Sequence, residues 1–314
     1  MKIINSILLF VAVVGVSAVS AAPFAYVSNE KSGTLSVIDT ATDKVVSEIK
    51  AGDKPRGAAA SKDGKFLFVS DQPHNALVIV DLNTRQATER IDLGESPEGV
   101  SVSPDGKWVV VASEVSNAVV FIDSVTHKKA FNVKVKGENP EHAVFSPDGK
   151  FLYVSAEEAQ QIDIVDVEKR EQTGQVAVGK RPRGIGFLPD GSRAYIACEF
   201  VSEVYAIDTK TRAVAAKLKG GNFSNGVTVR PDGKRVYISN GKDGTVSVLD
   251  TATNEFVATI EVGKRPWNMA ITPDGKKLYV ANGRSNSISV IDTEGNKKIT
   301  DIAVGELPWG VVIR

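Results

Sequence analysis

The sequence predicts an all-β protein: a seven-bladed β-propeller of four-stranded antiparallel blades, its last blade closed by the C-terminal strand pairing with N-terminal strands. Three observations carry this prediction. An Asp-Gly turn pair recurs at Asp63, Asp105, Asp148, Asp190, Asp232 and Asp274, with gaps of 42, 43, 42, 42 and 42 residues. A second marker keeps the same period, since Asp39, Asp81, Asp123, Asp166, Asp208, Asp250 and Asp292 each end an apolar run such as "SVID" or "SVLD". Each unit also holds four short runs with apolar residues at alternate positions, the pattern of half-buried strands. Four strands in about 42 residues is the period of a propeller blade.

The elements follow in chain order. Residues 1–21 open with "MK", continue through the apolar run "IINSILLFVAVVGV" and end in the small residues "SAVSA". One positive charge, a short apolar core and Val19 and Ala21 before the cut describe a secretory signal peptide cleaved after Ala21. The mature chain is then periplasmic and not inserted in the membrane. Residues 22–314 are the propeller. In the copy that starts at 266 the four strands are "WNMAIT", "KLYVAN", "SISVID" and "KKITDIAV". "PDGK" joins the first two as a tight turn: Pro presets φ, Asp caps and Gly accepts a positive φ. The third and fourth strands are joined by segments such as "DTATN", where an Asp or Thr side chain bonds local backbone donors. The mature chain begins on a second strand, "FAYVSN", and stops on a first strand, "PWGVVIR". One blade must therefore combine both ends of the chain and latch the ring.

Bulk properties exclude several function classes. The 38 Lys and Arg balance the 38 Asp and Glu and form no run, so the basic footprint of a nucleic-acid binder is missing. One cysteine, Cys198, leaves no internal disulfide, no CxxCH for covalent haem and no Cys/His set for zinc. Cys198 itself sits in the apolar strand "AYIACE" as a small buried residue. A closed ring needs no second copy, so a monomer is expected.

The runs "AYVSN", "LYVSA", "VYISN" and "LYVAN", each followed by "VID" or "VLD" and later "SPDGK" or "TPDGK", resemble YVTN-type β-propeller repeats along the whole mature chain. With a signal peptide, seven units and this length, the chain is similar to one subgroup, the PQQ-dependent catabolism-associated β-propeller proteins. That resemblance implies an association with quinoprotein alcohol oxidation and an ABC transport system in Gram-negative bacteria. It implies no catalytic residue, since a fold does not name a chemistry.

Identical positions in a repeat are explained by the fold, so function is sought where geometry recurs and chemistry does not. The residue after the loop proline, or its equivalent, is Arg56, Glu98, Glu141, Arg183, Asn225, Trp267 and Trp309 in the seven units. The next residue is Gly in five of them but His142 and Asn268 in two. If the first strand is innermost, these residues ring one mouth of the channel. The ends of the second strands join that rim: Asn29, Asp71, Ser113, Ala156, Cys198, Asn240 and Asn282, followed by Glu30, Glu114, Glu157 and Glu199. Concave mouths with convergent polar groups are common binding sites.

Neighbouring Trp267 and Trp309 can stack a planar ligand while nearby Arg residues grip carboxylates, chemistry that suits a planar polyanion such as PQQ. Glu98 and Glu141, joined by Glu114 or Glu157, can offer oxygens to a hard cation, with His142 as an added ligand. The same Arg and Glu residues can instead neutralise one another, and the Trp residues can cap the core. Lys54, Arg181 and Arg265 are expected to be solvated or to neutralise the acidic rim.

The favoured function is a non-enzymatic binding or accessory protein of PQQ-dependent catabolism, with a periplasmic quinoprotein dehydrogenase, a cytochrome or an ABC transporter component as partner. The alternatives are a lactonase-like hydrolase with a metal-assisted site at the mouth, and a pure protein-interaction scaffold.

Overall fold

The computed structural model of the protein describes residues 23–314; the expected signal peptide lies outside the described residues. Twenty-eight strands, numbered β1 to β28 in chain order, form seven antiparallel sheets of four. Six sheets use consecutive strands. The seventh is ordered β28-β1-β2-β3 and joins β28 (Pro308–Ile313) to β1 (Phe24–Asn29), β2 (Thr34–Asp39) and β3 (Lys44–Lys50). The expected shared blade is therefore present, with Ala25 opposite Ile313 and Val27 opposite Val311.

The innermost strands are β4 (Pro55–Ala60), β8 (Pro97–Val102), β12 (Pro140–Phe145), β16 (Pro182–Phe187), β20 (Ser224–Val229), β24 (Pro266–Ile271) and β28. Each begins at the same mouth, paired with the end of its blade's second strand, as Pro266 pairs with Asn282. The chain then runs away from the mouth, so the Asp-Gly turns lie on the opposite face. Those turns are built as the sequence suggests: Asp63, Asp105, Asp148 and Asp274 each accept the backbone N–H two residues on and the hydroxyl of Ser61, Ser103, Ser146 or Thr272. The periodic Asp residues close the second kind of turn, as Asp250 does by accepting from Ala252 and Thr253. Both sets are scaffold.

Sheets cannot bury both faces alone, so the apolar core lies between blades. The second strands contribute fully buried Tyr153, Tyr195, Tyr237 and Tyr279 at equivalent positions, with Phe68 doing the same. Two of these phenols reach the next blade: Tyr195 donates to Asn254 Oδ1 at 3.0 Å and Tyr279 to Asp43 Oδ1 at 2.5 Å. Buried tyrosine hydroxyls need such partners, and here the partner links neighbours. Cys198 is a buried free cysteine, its thiol pushed up to about 12 by burial, as expected of a packing residue.

At the channel the blades come close enough to exclude side chains. A Cβ on Gly57 would lie 2.3 Å from the Glu98 carbonyl oxygen, and one on Gly226 would lie 2.4 Å from that of Trp267. This explains why the residue after the ring position is glycine in most blades. His142 and Asn268 are the exceptions, and both serve the channel.

Candidate functional site: the charged mouth and the plugged channel

His142 and Trp309 stand on inner strands three blades apart yet stack face to face, with ring centroids 5.6 Å apart and planes 13° from parallel. Asn268 Nδ2 donates to the Trp309 carbonyl at 3.3 Å. These three residues plug the channel. Burial holds the His142 imidazole below its ordinary pKa, and the Arg183 guanidinium adds to the effect, so it is neutral near pH 7. Trp309 is only 9% exposed. The expectation of two exposed tryptophans forming one stacking platform is corrected accordingly: Trp309 faces His142 across the channel, and Trp267 turns to the rim of its own blade.

Above the plug, five of the seven blades carry Glu or Gln just beyond the second strand, and charged side chains meet them at the mouth. Arg56 pairs with Glu98 and with Glu30, the latter at 3.3 Å, and Lys54 also reaches Glu30. Arg183 pairs with Glu141 at 2.6 Å, with Glu157, and with Glu199 at 3.4 Å. Arg181 lies 3.4 Å from Glu157 and 3.2 Å from Glu199, and Arg265 binds Glu199 at 2.5 Å. The neutralising role expected of Lys54, Arg181 and Arg265 is thus present. Most of these pairs join neighbouring blades, whereas Arg183–Glu199 and Arg181–Glu199 lie within one, so the network runs along the rim.

The pairing is not even. Glu98 has no exposed surface; Arg56 and Gln72 both donate to its Oε1, while its Oε2 has no hydrogen-bond partner. Burial first, and then the Glu141 carboxylate, push Glu98 up to about 9 against the pull of Arg56. Burial would raise Glu141 too, but Arg183, His142 and Arg56 together bring it below its ordinary value. Two nearby buried carboxyls thus divide into one protonated and one ionised group near neutrality. Glu157 is pushed up to about 7 by burial and by Glu141.

A pH prediction follows. Below 4.5, the ordinary value for Glu98, its carboxyl is protonated folded or unfolded; between there and about 9 only the folded chain keeps the proton. Stability is therefore lost as pH rises through that window. Glu98→Gln imitates the protonated state and should flatten the loss. Urea midpoints measured in chelator across this range should give wild type the steeper decline, by up to about 1.4 kcal/mol per pH unit, the limit for one proton. Equal slopes would mean that Glu98 titrates normally.

Glu98 and Glu141 are brought together with Glu114: one carboxylate oxygen from each lies within 4.8 Å of the others. His142 points into the channel instead. Several rim positions named from sequence are scaffold: Asn29, Asn240 and Asn282 are fully buried and donate to side chains of the neighbouring third strand. Asp71 accepts from the Asp53 and Lys54 backbone, and Ser113 Oγ donates to the Glu95 carbonyl. Asn225 is buried with its Nδ2 unpartnered.

The remaining two blades carry a different surface. Where other units have Glu30, Gln72, Glu114, Glu157 and Glu199, these have Gly241 and Gly283. The missing side chains admit larger ones: a Cβ on Gly283 would lie 2.4 Å from the Trp267 ring, and one on Gly241 2.8 Å from an Arg265 nitrogen. Arg265 then lies 5.4 Å from the Phe223 centroid and 5.9 Å from that of Trp267, and Lys242 covers Phe223 at 5.4 Å. Phe223, Lys242, Asp243, Lys264, Arg265 and Arg284 line a depression of about 500 Å³ there, four cations against one carboxylate. Among the described residues Lys242, Lys264 and Arg284 form no salt bridge. Sequence reasoning missed these residues. The signal was present, as glycine at two positions of a rim that is otherwise Glu or Gln. Two larger depressions, of about 730 Å³ each, lie elsewhere, one along the outer strands near Arg85 and Arg90 and one on the opposite face beside Phe24 and Pro273.

Comparison with known proteins agrees with the architecture. No curated protein matches the chain. Among solved structures, the protein is similar to a chain of Kuenenia stuttgartiensis hydrazine synthase, at 23% identity and a TM-score of 0.79, covering 90% of this chain and 99% of that one. It is similar to a functionally unknown protein from Desulfotomaculum acetoxidans, at 18% identity and a TM-score of 0.82, covering 92% and 98%. It is also similar to a Bacteroides uniformis protein described as a candidate 6-phosphogluconolactonase, at 20% identity and a TM-score of 0.77, covering 93% and 100%. At these identities the likeness concerns the fold alone. The description of YNCE-like beta-propellers matches residues 66–237, more than half of the sequence, and the chain belongs to the YNCE-like beta-propeller family.

Proposed function

We propose that the protein is an exported, periplasmic, non-enzymatic binding propeller that serves PQQ-dependent alcohol catabolism and its ABC transport system. In this reading the basic, aromatic depression at the mouth takes a planar polyanion of the PQQ kind, and a quinoprotein dehydrogenase, a cytochrome or a transporter component docks over the same face. The observation that carries it is the pairing of aromatic surface with uncommitted cations. Phe223 lines the depression, half-buried Trp267 stands beside it behind Arg265, and Lys242, Lys264 and Arg284 are exposed and form no salt bridge among the described residues. Stacking with charge-assisted bonds to carboxylates suits a flat polyacid. Arg56 and Arg183, by contrast, are engaged by glutamates and have little left for a ligand.

Titration with PQQ, followed by tryptophan fluorescence, tests the reading. Saturable binding is expected, weakened at least about tenfold by Trp267→Ala and by the double change Lys264→Glu and Arg284→Glu, a loss of roughly 1.4 kcal/mol or more. Circular dichroism should show all variants folded. Absence of saturable binding, or binding indifferent to both changes, contradicts the proposal. A second reading, a metal-assisted lactonase, is favoured only by the carboxylates around Glu141 near His142. Lactone hydrolysis abolished by Glu141→Ala or His142→Ala in a folded protein would replace the first reading.

A further inference from the structure

The acidic side of the mouth carries an inference that does not depend on the anion pocket, because it uses different residues. We propose that Glu98, Glu114 and Glu141 hold one hard divalent cation, of the calcium, magnesium or manganese class. Three carboxylate oxygens, one from each residue, lie within 4.8 Å of one another. Oxygens bound to a common hard cation at about 2.0–2.6 Å sit at such separations.

Acidic side chains gather on many surfaces without an ion, so the state of each oxygen matters. Glu98 is fully buried, and only one of its oxygens is engaged, by Arg56 and Gln72. Its Oε2 is buried and touches no donor. A buried carboxylate oxygen without a partner is costly and calls for an occupant. Glu114 accepts the Ser96 hydroxyl at 2.7 Å through Oε2, which steadies the carboxylate while Oε1 stays available. Glu141 meets Arg183 through Oε1 at 2.6 Å, again leaving a second oxygen.

Charge agrees with this assignment. The three carboxyls outnumber the two guanidinium groups that reach them, Arg56 at Glu98 and Arg183 at Glu141, and those two are shared with Glu30, Glu157 and Glu199. The donor set is all oxygen, and His142 is turned to Trp309. Oxygen ligands select hard cations over zinc or copper. With three protein oxygens, water completes the coordination shell, and half-buried Glu114 is its most exposed ligand.

The test is isothermal titration of the purified protein with calcium and with manganese, together with tryptophan-sensitised terbium luminescence. One saturable site per chain is expected. Glu98→Gln and Glu114→Gln should each weaken it at least tenfold, while Glu171→Gln on an outer strand leaves it unchanged. Melting temperatures of the variants, read in chelator, establish that they fold. Cation addition should raise the melting temperature of wild type and not that of Glu98→Gln. Absence of saturable binding up to millimolar cation overturns the proposal, as does equal binding by wild type and a folded Glu98→Gln, which would leave Glu98 as a protonated packing group. PQQ takes no part in this experiment, so its outcome is separable from that of the anion pocket.

Discussion

Deleting residues 308–314 should abolish cooperative folding. β28 is the inner strand of the closing blade and covers the free edge of β1, pairing Ala25 with Ile313 and Tyr26 with Val312. Phe24 and Arg314 exchange both backbone bonds at 2.8 Å. Its loss also exposes Val27, Ile38, Ala281 and Val290, which share one cluster with Val311, and removes Trp309 from the channel plug. Large apolar side chains contribute about 1.5–3 kcal/mol each on burial, and a whole domain is stable by only about 5–15 kcal/mol. The removed strand carries several such side chains besides the edge hydrogen bonds. Urea unfolding followed by fluorescence should therefore show a broad, non-cooperative transition or none. A truncated chain with an unchanged cooperative midpoint would mean that the ring closes without its latch.

Removing the Arg183 guanidinium should be the most destabilising single change at the mouth, at about 3–5 kcal/mol for Arg183→Met. The side chain is 14% exposed and serves Glu141, Glu157 and Glu199, which are 5%, 4% and 1% exposed. Taking away one partner of a buried pair leaves the other charge uncompensated, whereas replacing both sides can be neutral. The triple change Arg183→Met, Glu141→Gln and Glu157→Gln should thus recover much of the loss. The pH dependence supplies the sign. In wild type the depressed Glu141 favours folding above its ordinary range and loses that contribution as pH falls. Without Arg183, burial dominates, the carboxyl protonates, and acid should relieve the defect. A cost below about 1 kcal/mol in chemical denaturation would show the network to be screened like a surface pair.

Most of the fold could be read in the sequence because repetition makes the evidence redundant. Seven Asp-ended apolar runs and six Asp-Gly turns set blade number and strand order, and the phase of "FAYVSN" and "PWGVVIR" revealed the closing blade. The ring positions were also readable, since they are fixed by register. Side-chain direction was not. Whether Trp309 faces Trp267 or His142 depends on contacts across the channel between residues far apart in sequence. Asn29, Asn240 and Asn282 look like rim ligands in a repeat alignment, yet their amides are spent on Thr and Ser of the adjacent strand. Gly241 and Gly283 carry no chemistry of their own, and their importance lies in the space given to Arg265 and Trp267. The uneven ionisation of Glu98 and Glu141 arises from burial and proximity, neither of which a linear sequence displays.

Hydrogen exchange read by mass spectrometry, with and without PQQ, tests most directly whether the mouth is where the protein does its work. Ligand should slow exchange in the segments 241–244, 263–268 and 283–286, which surround Phe223 and Trp267, and leave the Asp-Gly turns of the opposite face unchanged. Protection centred on those turns or on the outer strands, or an exchange pattern that saturating ligand does not alter, would contradict the account.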